Sequence, residues 1–444
     1  MAVLLTTTDM QKLCLFVFCF ALILQCKAQN LTYYKDVKPI IDAKCSSCHK
    51  PGEPAPFSLL TYDDVAKRVS FIKAVVQKKY MPPWKADNKY VHFANDRSLS
   101  EKEIATIVKW IDNKAPKGAE TTASADKPVV AGTMYKRKPD MVLMAKDTFH
   151  VKGDNSEIFV IFKIPFELKD SQNVEAIEFF SSDKKLVHHA NYAVHPVLDT
   201  SIDIYNTASF INLSADDRSK ATQYQIYQKH ITYYGGWIPG SEYESYPKGF
   251  GWVMPKRGVI LLTVHYGPSA IDTASISGVN LFFTKTPVER RVKIISFGSG
   301  GIGEKEIEPT FYIEPNKIKT FRLDVTNPGE DFSLMYVWPH MHYLGKEFTA
   351  FVTKPNGDTI KLVHIPAWDF RWQELYKFQH LVRIPQGSTV HIVGTYDNTT
   401  NNPFNPHNPP KLVWSFGDMY STDEMMTLIF VFLPYQKGDE NIRL

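Results

Sequence analysis

The placement of cysteine is the feature that most restricts how this chain can fold. Cysteine occurs at Cys14, Cys19, Cys26, Cys45 and Cys48, and it is absent from the roughly 400 residues that follow. A disulfide framework therefore cannot hold the larger part of the chain together. Stability has to come from ordinary hydrophobic cores, with bound metal as a further source.

The first 28 residues have the pattern of an export signal. Lys12 ends a short polar region, an apolar stretch runs from Leu13 to Leu24, and Cys26 and Ala28 are small residues at the cleavage positions. We predict cleavage after Ala28 and a periplasmic or secreted protein. The alternatives are a lipid on Cys26 or an uncleaved anchor, although the stretch is short for a span. No later run is long and apolar enough to cross a bilayer, so we predict no membrane span in the mature chain.

The bulk properties are those of a globular protein. At 444 residues the chain is too long for one core, so we predict two or three domains. Its 44% hydrophobic and 22% charged residues exclude a disordered or fibrous chain. Because the net charge of +4 is small and the basic residues are scattered, we predict no binding to nucleic acid.

The segment that ends at residue 118 has a helical pattern. Ser100 and Glu103 form a capping box ahead of apolar residues at helical spacing, and Thr61 and Asp64 open a second helix similarly. We predict a small all-α domain over residues 29–118. A linker of small and polar residues follows at 119–128.

The rest of the chain has the pattern of an all-β protein. Short runs of β-branched and aromatic residues alternate with clusters of Gly, Pro and Asn, as in a sandwich or jelly roll. Asn356-Gly357, between two such runs, predicts a hairpin. About 310 residues is large for one sandwich, so we place a boundary near residue 305 and predict β-domains at 129–305 and 306–437.

A motif for covalent heme attachment lies in the front segment. Cys45-Ser46-Ser47-Cys48-His49 offers two thiols for thioethers to the heme vinyls and an adjacent imidazole for the iron. A redox-active dithiol or a plain disulfide is the alternative, but a thioredoxin-like site needs a βαβ setting that is absent from this pattern. We therefore predict heme c. Met81 is the predicted second axial ligand because Pro82-Pro83 would stiffen its loop, and His92 is the rival ligand.

Histidines in the β region form three groups that suit a metal ion. His340 and His342 are two residues apart, so on a strand both point from one face and can chelate one ion. His188 and His189 are adjacent and would point to opposite faces, so joint binding requires a bulge or a strand end. His265 would have to approach them from a neighbouring strand. Taken singly, each histidine is better explained as a buried, hydrogen-bonded residue.

A methionine pair near the C terminus discriminates between metals. Imidazoles alone suit copper, zinc or nickel, whereas a thioether favours copper because soft sulfur stabilises Cu(I). Met425 and Met426 open an apolar strand. Adjacent side chains on a strand face opposite ways, so only one of the two is expected to be a ligand.

In this order the motifs resemble the copper type II, ascorbate-dependent monooxygenases, the family of peptidylglycine α-hydroxylating monooxygenase and dopamine β-hydroxylase. The resemblance covers roughly residues 130–435. It rests on His188-His189, Val264-His265-Tyr266-Gly267, His340-x-His342 followed by Leu344-Gly345, and Asp423-Glu424-Met425. The front segment resembles the cytochrome c domain that some bacteria fuse to this module.

The resemblance implies a small all-α cytochrome c domain followed by two all-β jelly-roll-like sandwich domains. It also implies two copper ions that face each other across a solvent-open cleft. An electron-storing copper would be held by His188, His189 and His265, and an oxygen-binding copper by His340, His342 and Met425.

Three departures from the family argue against a peptide substrate. The peptide-amidating enzymes have Arg two residues before the His-x-His pair, where this chain has Trp338. They have Asn and Tyr two and four residues after the methionine ligand, where this chain has Thr427 and Ile429. The residues that anchor a substrate carboxylate are therefore missing.

The predicted function is a copper-dependent monooxygenase that uses O2 to hydroxylate a C–H bond of a small organic substrate. Electrons would come from an external donor through heme c, with ascorbate as an alternative reductant. The competing hypothesis is a periplasmic heme and copper electron-transfer or copper-handling protein without hydroxylase activity. A third is a binding module whose histidines are structural.

Overall fold

The computed structural model describes residues 31–120, 133–214, 218–415 and 422–444. The predicted signal at 1–28 and most of the predicted linker at 119–128 lie outside these ranges. The chain divides into two compact units. Within the described ranges, the helical unit contains residues 31–45, 59–81 and 99–120, and the β unit contains residues 46–58, 82–98 and those from 133 onward.

The helical unit consists of four short helices. They are α1 (Lys38–Lys44), α2 (Tyr62–Ala66), α3 (Val69–Gln77) and α4 (Glu101–Asp112), and a π-helical turn at Tyr33–Val37 precedes α1. Both capping boxes expected from the sequence are present, with Thr61 accepting from the Asp64 N–H and Ser100 from the Glu103 N–H. Trp110 is fully buried on α4 and its Nε1 donates to the carbonyl of Pro116 at 3.0 Å.

The β unit contains 23 strands in the described residues. The first thirteen are β1 (Met141–Met144), β2 (Phe149–Val151), β3 (Ile158–Glu167), β4 (Gln172–Ser181), β5 (Val187–Pro196), β6 (Phe210–Asn212), β7 (Tyr233–Trp237), β8 (Glu244–Ser245), β9 (Phe250–Met254), β10 (Arg257–Tyr266), β11 (Thr273–Ser275), β12 (Ser277–Phe283) and β13 (Arg290–Arg291). The others are β14 (Lys293–Gly298), β15 (Tyr312–Ile313), β16 (Ile318–Thr326), β17 (Phe332–His340), β18 (Gly345–Thr353), β19 (Thr359–Ile365), β20 (Tyr376–Ile384), β21 (Thr389–Asp397), β22 (Val413–Trp414) and β23 (Thr427–Pro434). Short 3₁₀ helices lie at Lys184–Leu186, Arg218–Tyr227, Glu304–Glu306 and Asp439–Asn441.

The first sheet pair carries His188, His189 and His265. Its six-stranded sheet has the order β1–β12–β4–β9–β13, with β8 beside β4, and its five-stranded sheet has the order β6–β3–β10–β5–β7. Both sheets contribute to one core, in which Phe162 of β3 and Leu262 of β10 are buried with Ile177 of β4. Along most of β3, buried side chains alternate with partly buried ones, as the two-residue period of a strand requires.

The second sheet pair carries His340 and His342. Its two four-stranded sheets have the orders β14–β23–β17–β20 and β16–β21–β18–β19. A second core contains Val337 of β17, Phe430 of β23 and Ile392 of β21. The predicted hairpin joins β18 to β19, and Gly357 in its turn has a φ of 88°.

The predicted fold class, a small all-α cytochrome c domain followed by two all-β jelly-roll-like sandwich domains, is wrong. Strands make up 38% and helices 14% of the structure, and the described residues form a mostly β architecture with four larger sheets. The described residues contain no separate all-α cytochrome domain, because residues 46–58 and 82–98 of the front segment belong to the β unit.

The physical reason is that the segment after Pro82-Pro83 pairs with a strand of the β unit before α4 begins. Phe93 forms an antiparallel bridge with Phe378, and the Ala94 N–H donates to the Lys377 carbonyl at 2.7 Å. Trp84 packs edge-on against Tyr376, with ring centroids 5.2 Å apart. Among the described residues, no helix is long and apolar enough to cross a membrane.

Arg290 on β13 forms a buried ion pair with Asp439 near the C terminus. Its Nη1 and Nη2 each donate to one carboxylate oxygen at 2.9 Å, and the Ser333 hydroxyl on β17 also donates to Asp439. Burial would raise the pKa of Asp439, but the hydrogen bonds from Arg290 and Ser333 outweigh it and hold the pKa below its usual value. The carboxylate therefore stabilises the fold above its unfolded-state pKa of about 3.9.

We predict that Asp439→Asn lowers the free energy of unfolding at pH 7 by about 3 kcal/mol, because it leaves Arg290 as an uncompensated buried charge. The difference from the unmodified protein should shrink as the pH falls below about 4, since protonation removes the same carboxylate. Urea unfolding followed by circular dichroism, at pH 7 and again at a pH below about 4, measures the free energy of unfolding of each protein. Asp170→Asn, which changes an exposed carboxylate, is the control. Equal stability of Asp439→Asn and the control at pH 7 would contradict the prediction.

Candidate metal centre

A β-bulge brings the first three histidines together. On the paired strands β5 and β10, His189 lies opposite His265, and the next paired position matches Val187 with Tyr266. His188 is therefore an extra, unpaired residue on β5, which makes a β-bulge. Adjacent histidines can bind one ion together only where the strand departs from regular pairing in such a way. The ring centroids of His188 and His189 each lie 4.9 Å from that of His265.

The imidazoles of this first cluster are buried or half-buried, and each has at least one ring nitrogen without a hydrogen-bond partner among the described residues. His265 is fully buried and His189 nearly so. Among the described residues, the Nδ1 atoms of His188, His189 and His265 have no hydrogen-bond partner. Burial lowers the pKa of all three, and neighbouring imidazoles lower the pKa of His189 and His265 further. Neutral imidazoles with unused lone pairs fit a bound metal ion, because metal binding requires the unprotonated ring.

Glu157 adds a carboxylate to this cluster that the sequence analysis missed. Its Oε2 lies 3.3 Å from His265 Nε2 and its Oε1 lies 3.9 Å from His188 Nδ1. One ligand atom from each of these three residues lies within 4.8 Å of the other two, and His189 is not part of that set. No sequence pattern marks Glu157, because only the pairing of β3 with β10 brings it to His265.

The second cluster has both imidazoles held through Nδ1. His340 ends β17, His342 follows it, and their ring centroids lie 5.0 Å apart. His340 Nδ1 donates to the Gln373 Oε1, and Gln373 Nε2 donates to the Phe370 carbonyl at 2.9 Å, which fixes the orientation of the amide. His342 Nδ1 donates to the Asp423 carbonyl at 2.9 Å. Both rings therefore carry the lone pair on Nε2, as metal-binding histidines oriented by an outer hydrogen bond do.

Burial also favours the neutral form of His340 in the second cluster. It lowers the pKa of His340 to about 3, with a further lowering by His342 and an opposing effect of the Gln373 hydrogen bond. At neutral pH this imidazole carries no proton on Nε2, so it can coordinate a metal without first losing one.

Glu424 ties the turn that contains His342 to the methionine pair. Its carboxylate accepts the backbone N–H groups of His342 at 2.9 Å, Leu344 at 2.6 Å and Met425 at 3.3 Å. Burial raises the pKa of Glu424 to about 8, although these three N–H donors oppose the rise. Met426 is fully buried in the second core, whereas Met425 is half-buried and lies outside that core. Met425 is therefore the methionine that fits the ligand role.

Phe370 lies between the two clusters. Its ring centroid is 5.7 Å from those of His189 and His265 in the first cluster. It is 5.5 Å from that of His342 in the second cluster and 4.4 Å from that of Tyr343. The two sets of imidazoles thus share one aromatic neighbour, which no sequence signal identified.

Trp338 and Thr427, two of the residues that argued against a peptide substrate, are both hydrogen-bonded. Trp338 Nε1 donates to the Gln373 carbonyl at 3.2 Å. Its ring packs so closely on Gly236 that a Cβ atom added to Gly236 would lie 2.3 Å from the indole. The Thr427 hydroxyl donates to the Ser299 carbonyl at 2.9 Å. Both side chains are buried, so they help hold the second cluster in place.

The heme motif is divided between the two units. Cys45 caps α1 in the helical unit and donates its N–H to the Ile41 carbonyl at 2.9 Å. Cys48 and His49 belong to the β unit, where burial raises the pKa of the Cys48 thiol. His49 Nδ1 donates to the Phe57 carbonyl at 3.0 Å. This bond places the His49 lone pair on Nε2, which is the tautomer that can bind iron.

The surroundings of Cys48 in the β unit include Gly240, the positive-φ residue that follows β7. A Cβ atom added at Gly240 would lie 2.7 Å from the Cys48 sulfur and 3.0 Å from Arg97 Nη1.

Met81 and His92 are the two candidates for the second axial position of the heme. Met81 is half-buried in the helical unit, and His92 is exposed in the β unit.

Comparison with known proteins gives little. No protein family model and no curated protein matches the chain. Solved structures of infectious bursal disease virus, strains Gx and Gt, match 67% of this chain at 11% and 12% sequence identity. The matches cover 76% and 77% of those chains with a TM-score of 0.15 in each case, a likeness too small to bear on fold or function.

We predict that Gln373→Leu weakens Cu(I) binding at the second cluster by about 10- to 100-fold, because the His340 Nδ1–H loses its acceptor. Competition with a Cu(I) chelator measures the affinity. Gln228→Leu changes an exposed glutamine and should leave the affinity unchanged. The role given to Gln373 is wrong if both variants bind Cu(I) as the unmodified protein does.

Proposed function

We propose that the protein is a copper-dependent monooxygenase that hydroxylates a C–H bond of a small organic substrate with O2, using electrons delivered through a covalently bound heme c. The observation that supports this most is the gathering of five buried or half-buried imidazoles into two neighbouring clusters. Their lone pairs are unused in the first cluster and set on Nε2 in the second. Such donors are suited to metal ions rather than to hydrogen bonding alone.

In this proposal each of the two copper ions has its own set of ligands. The first would be held by His188, His189 and His265, and the second by His340, His342 and Met425. Copper is favoured over zinc at the second place because a thioether stabilises Cu(I). Bound copper ions supply electron storage at the first place and the reaction with O2 at the second.

The residues around the clusters orient the proposed ligands. Gln373 and the Asp423 carbonyl hold the rings of His340 and His342, and Glu424 accepts the backbone N–H groups of His342 and Met425. The Phe370 ring contacts imidazoles of both clusters. Ligands held in this way need little reordering to bind an ion.

The heme motif accounts for electron supply. Cys45 and Cys48 would bind heme through thioethers, His49 would be one axial ligand, and Met81 is the proposed second. Each hydroxylation consumes two electrons, so an external donor has to reduce the heme twice per turnover, with ascorbate as an alternative reductant. The predicted export signal supports a location of this chemistry in the periplasm or outside the cell.

The competing function is electron transfer or copper handling without hydroxylation. It uses the same heme and copper ligands but has no organic substrate. Oxygen uptake by the reduced protein that depends on an added compound from a panel of small metabolites separates the two functions.

We predict that Met425→Leu leaves heme reduction unchanged and lowers substrate-dependent oxygen uptake by at least about 100-fold, the size of effect expected when a catalytic group is lost. Met426→Leu is the matched control, because it changes a neighbouring methionine that packs in the core. A swap of this kind usually costs under about 1.5 kcal/mol. Equal oxygen uptake by the two variants would show that Met425 does not serve the oxygen site.

A further inference from the structure

We propose that Glu157 is a ligand of the metal at the first cluster, and that it sets this metal's preference for the oxidised state. The inference rests on the proposed function, since it takes the metal to be copper. It differs from that function in adding a carboxylate to a site otherwise made of imidazoles.

The position of the carboxylate supports coordination over hydrogen bonding. Glu157 Oε2 lies 3.3 Å from His265 Nε2, yet neither ring nitrogen of this fully buried histidine has a hydrogen-bond partner among the described residues. Close approach without hydrogen-bond geometry is expected of donor atoms that surround a common ion. Glu157, His188 and His265 each contribute one such atom, all within 4.8 Å of one another.

The sheet holds Glu157 in this position. It directly precedes β3, and the next residue but one, Phe159, lies opposite His265 on β10. The rings of Phe159 and His265 are stacked with centroids 3.8 Å apart. The carboxylate therefore starts from a backbone that is fixed by the strand pairing, and not from a long loop.

A carboxylate and a thioether have opposite effects on bound copper. The anionic oxygen of Glu157 stabilises Cu(II) at the first cluster, whereas the sulfur of Met425 stabilises Cu(I) at the second. With copper bound at both sites, transfer of one electron from the first to the second would thereby be favoured, oxidising Cu(I) to Cu(II) at the first and reducing Cu(II) to Cu(I) at the second. Glu157 is thus the residue that gives electron flow between the clusters its direction.

The test is copper binding by the full-length, heme-containing protein in both oxidation states, measured by competition with Cu(II) and Cu(I) chelators. Glu157→Gln should weaken the binding of one Cu(II) ion by at least about tenfold. Loss of a residue that merely hydrogen-bonds to a metal ligand already lowers metal affinity by about that factor. Cu(I) affinity at that site should change much less. Glu330→Gln, in an exposed turn, should change neither.

Three results would overturn the inference, and they differ in what else they affect. Unchanged Cu(II) affinity in Glu157→Gln, with two coppers bound by the unmodified protein, rejects Glu157 as a ligand and leaves the proposed function standing. An equal loss of Cu(II) and Cu(I) affinity rejects the redox role alone. Unmodified protein that binds no copper rejects both the inference and the proposed function. If Glu157→Gln does not fold, Glu157→Asp replaces it, because Asp keeps the charge on a shorter side chain. Glu157→Asp should then show a smaller loss of Cu(II) affinity. An unchanged Cu(II) affinity in this variant rejects Glu157 as a ligand.

Discussion

The pairing of β5 with β10 is the constraint on which the candidate centre depends. Regular pairing would send His188 and His189 to opposite faces of the sheet, and only the bulge opposite His265 allows both to face the same strand neighbour. The ladder also fixes Glu157, since β3 pairs with the other side of β10. A metal site assembled this way is held by backbone hydrogen bonds along three strands, so its side chains need little further ordering to bind an ion.

The second cluster depends on hydrogen bonds from a loop that the front of the chain supports. Gln373 orients His340, and the adjacent Glu374 forms a buried ion pair with Arg97, while Asn95 donates to the Leu375 carbonyl at 2.8 Å. Segment 82–98 is thus built into the β unit beside the loop that holds His340. A front segment of this kind is part of the fold that positions the histidines, in contrast to a freely tethered carrier.

Local patterns in the sequence were sufficient for some elements and failed for others. The capping boxes at Thr61 and Ser100 and the Asn356-Gly357 hairpin depend on neighbouring residues, and the structure contains them. The all-α front domain was wrong because the contacts of Asn95 and Arg97 are to residues almost 280 positions later, which no local period encodes. Glu157, Phe370 and Gln373 were missed for the same reason. The histidines could be proposed as ligands from the sequence because their spacing on strands carries chemical meaning before any fold is known.

The proposed function requires that the imidazoles form two separate copper sites in a protein that also carries heme. The copper-to-heme ratio of the purified, copper-loaded full-length protein is the measurement that decides this. We expect about two copper ions per heme, and about one when either His265 or His340 is replaced by Ala. A ratio below one in the unmodified protein, or a ratio that neither replacement changes, would contradict it.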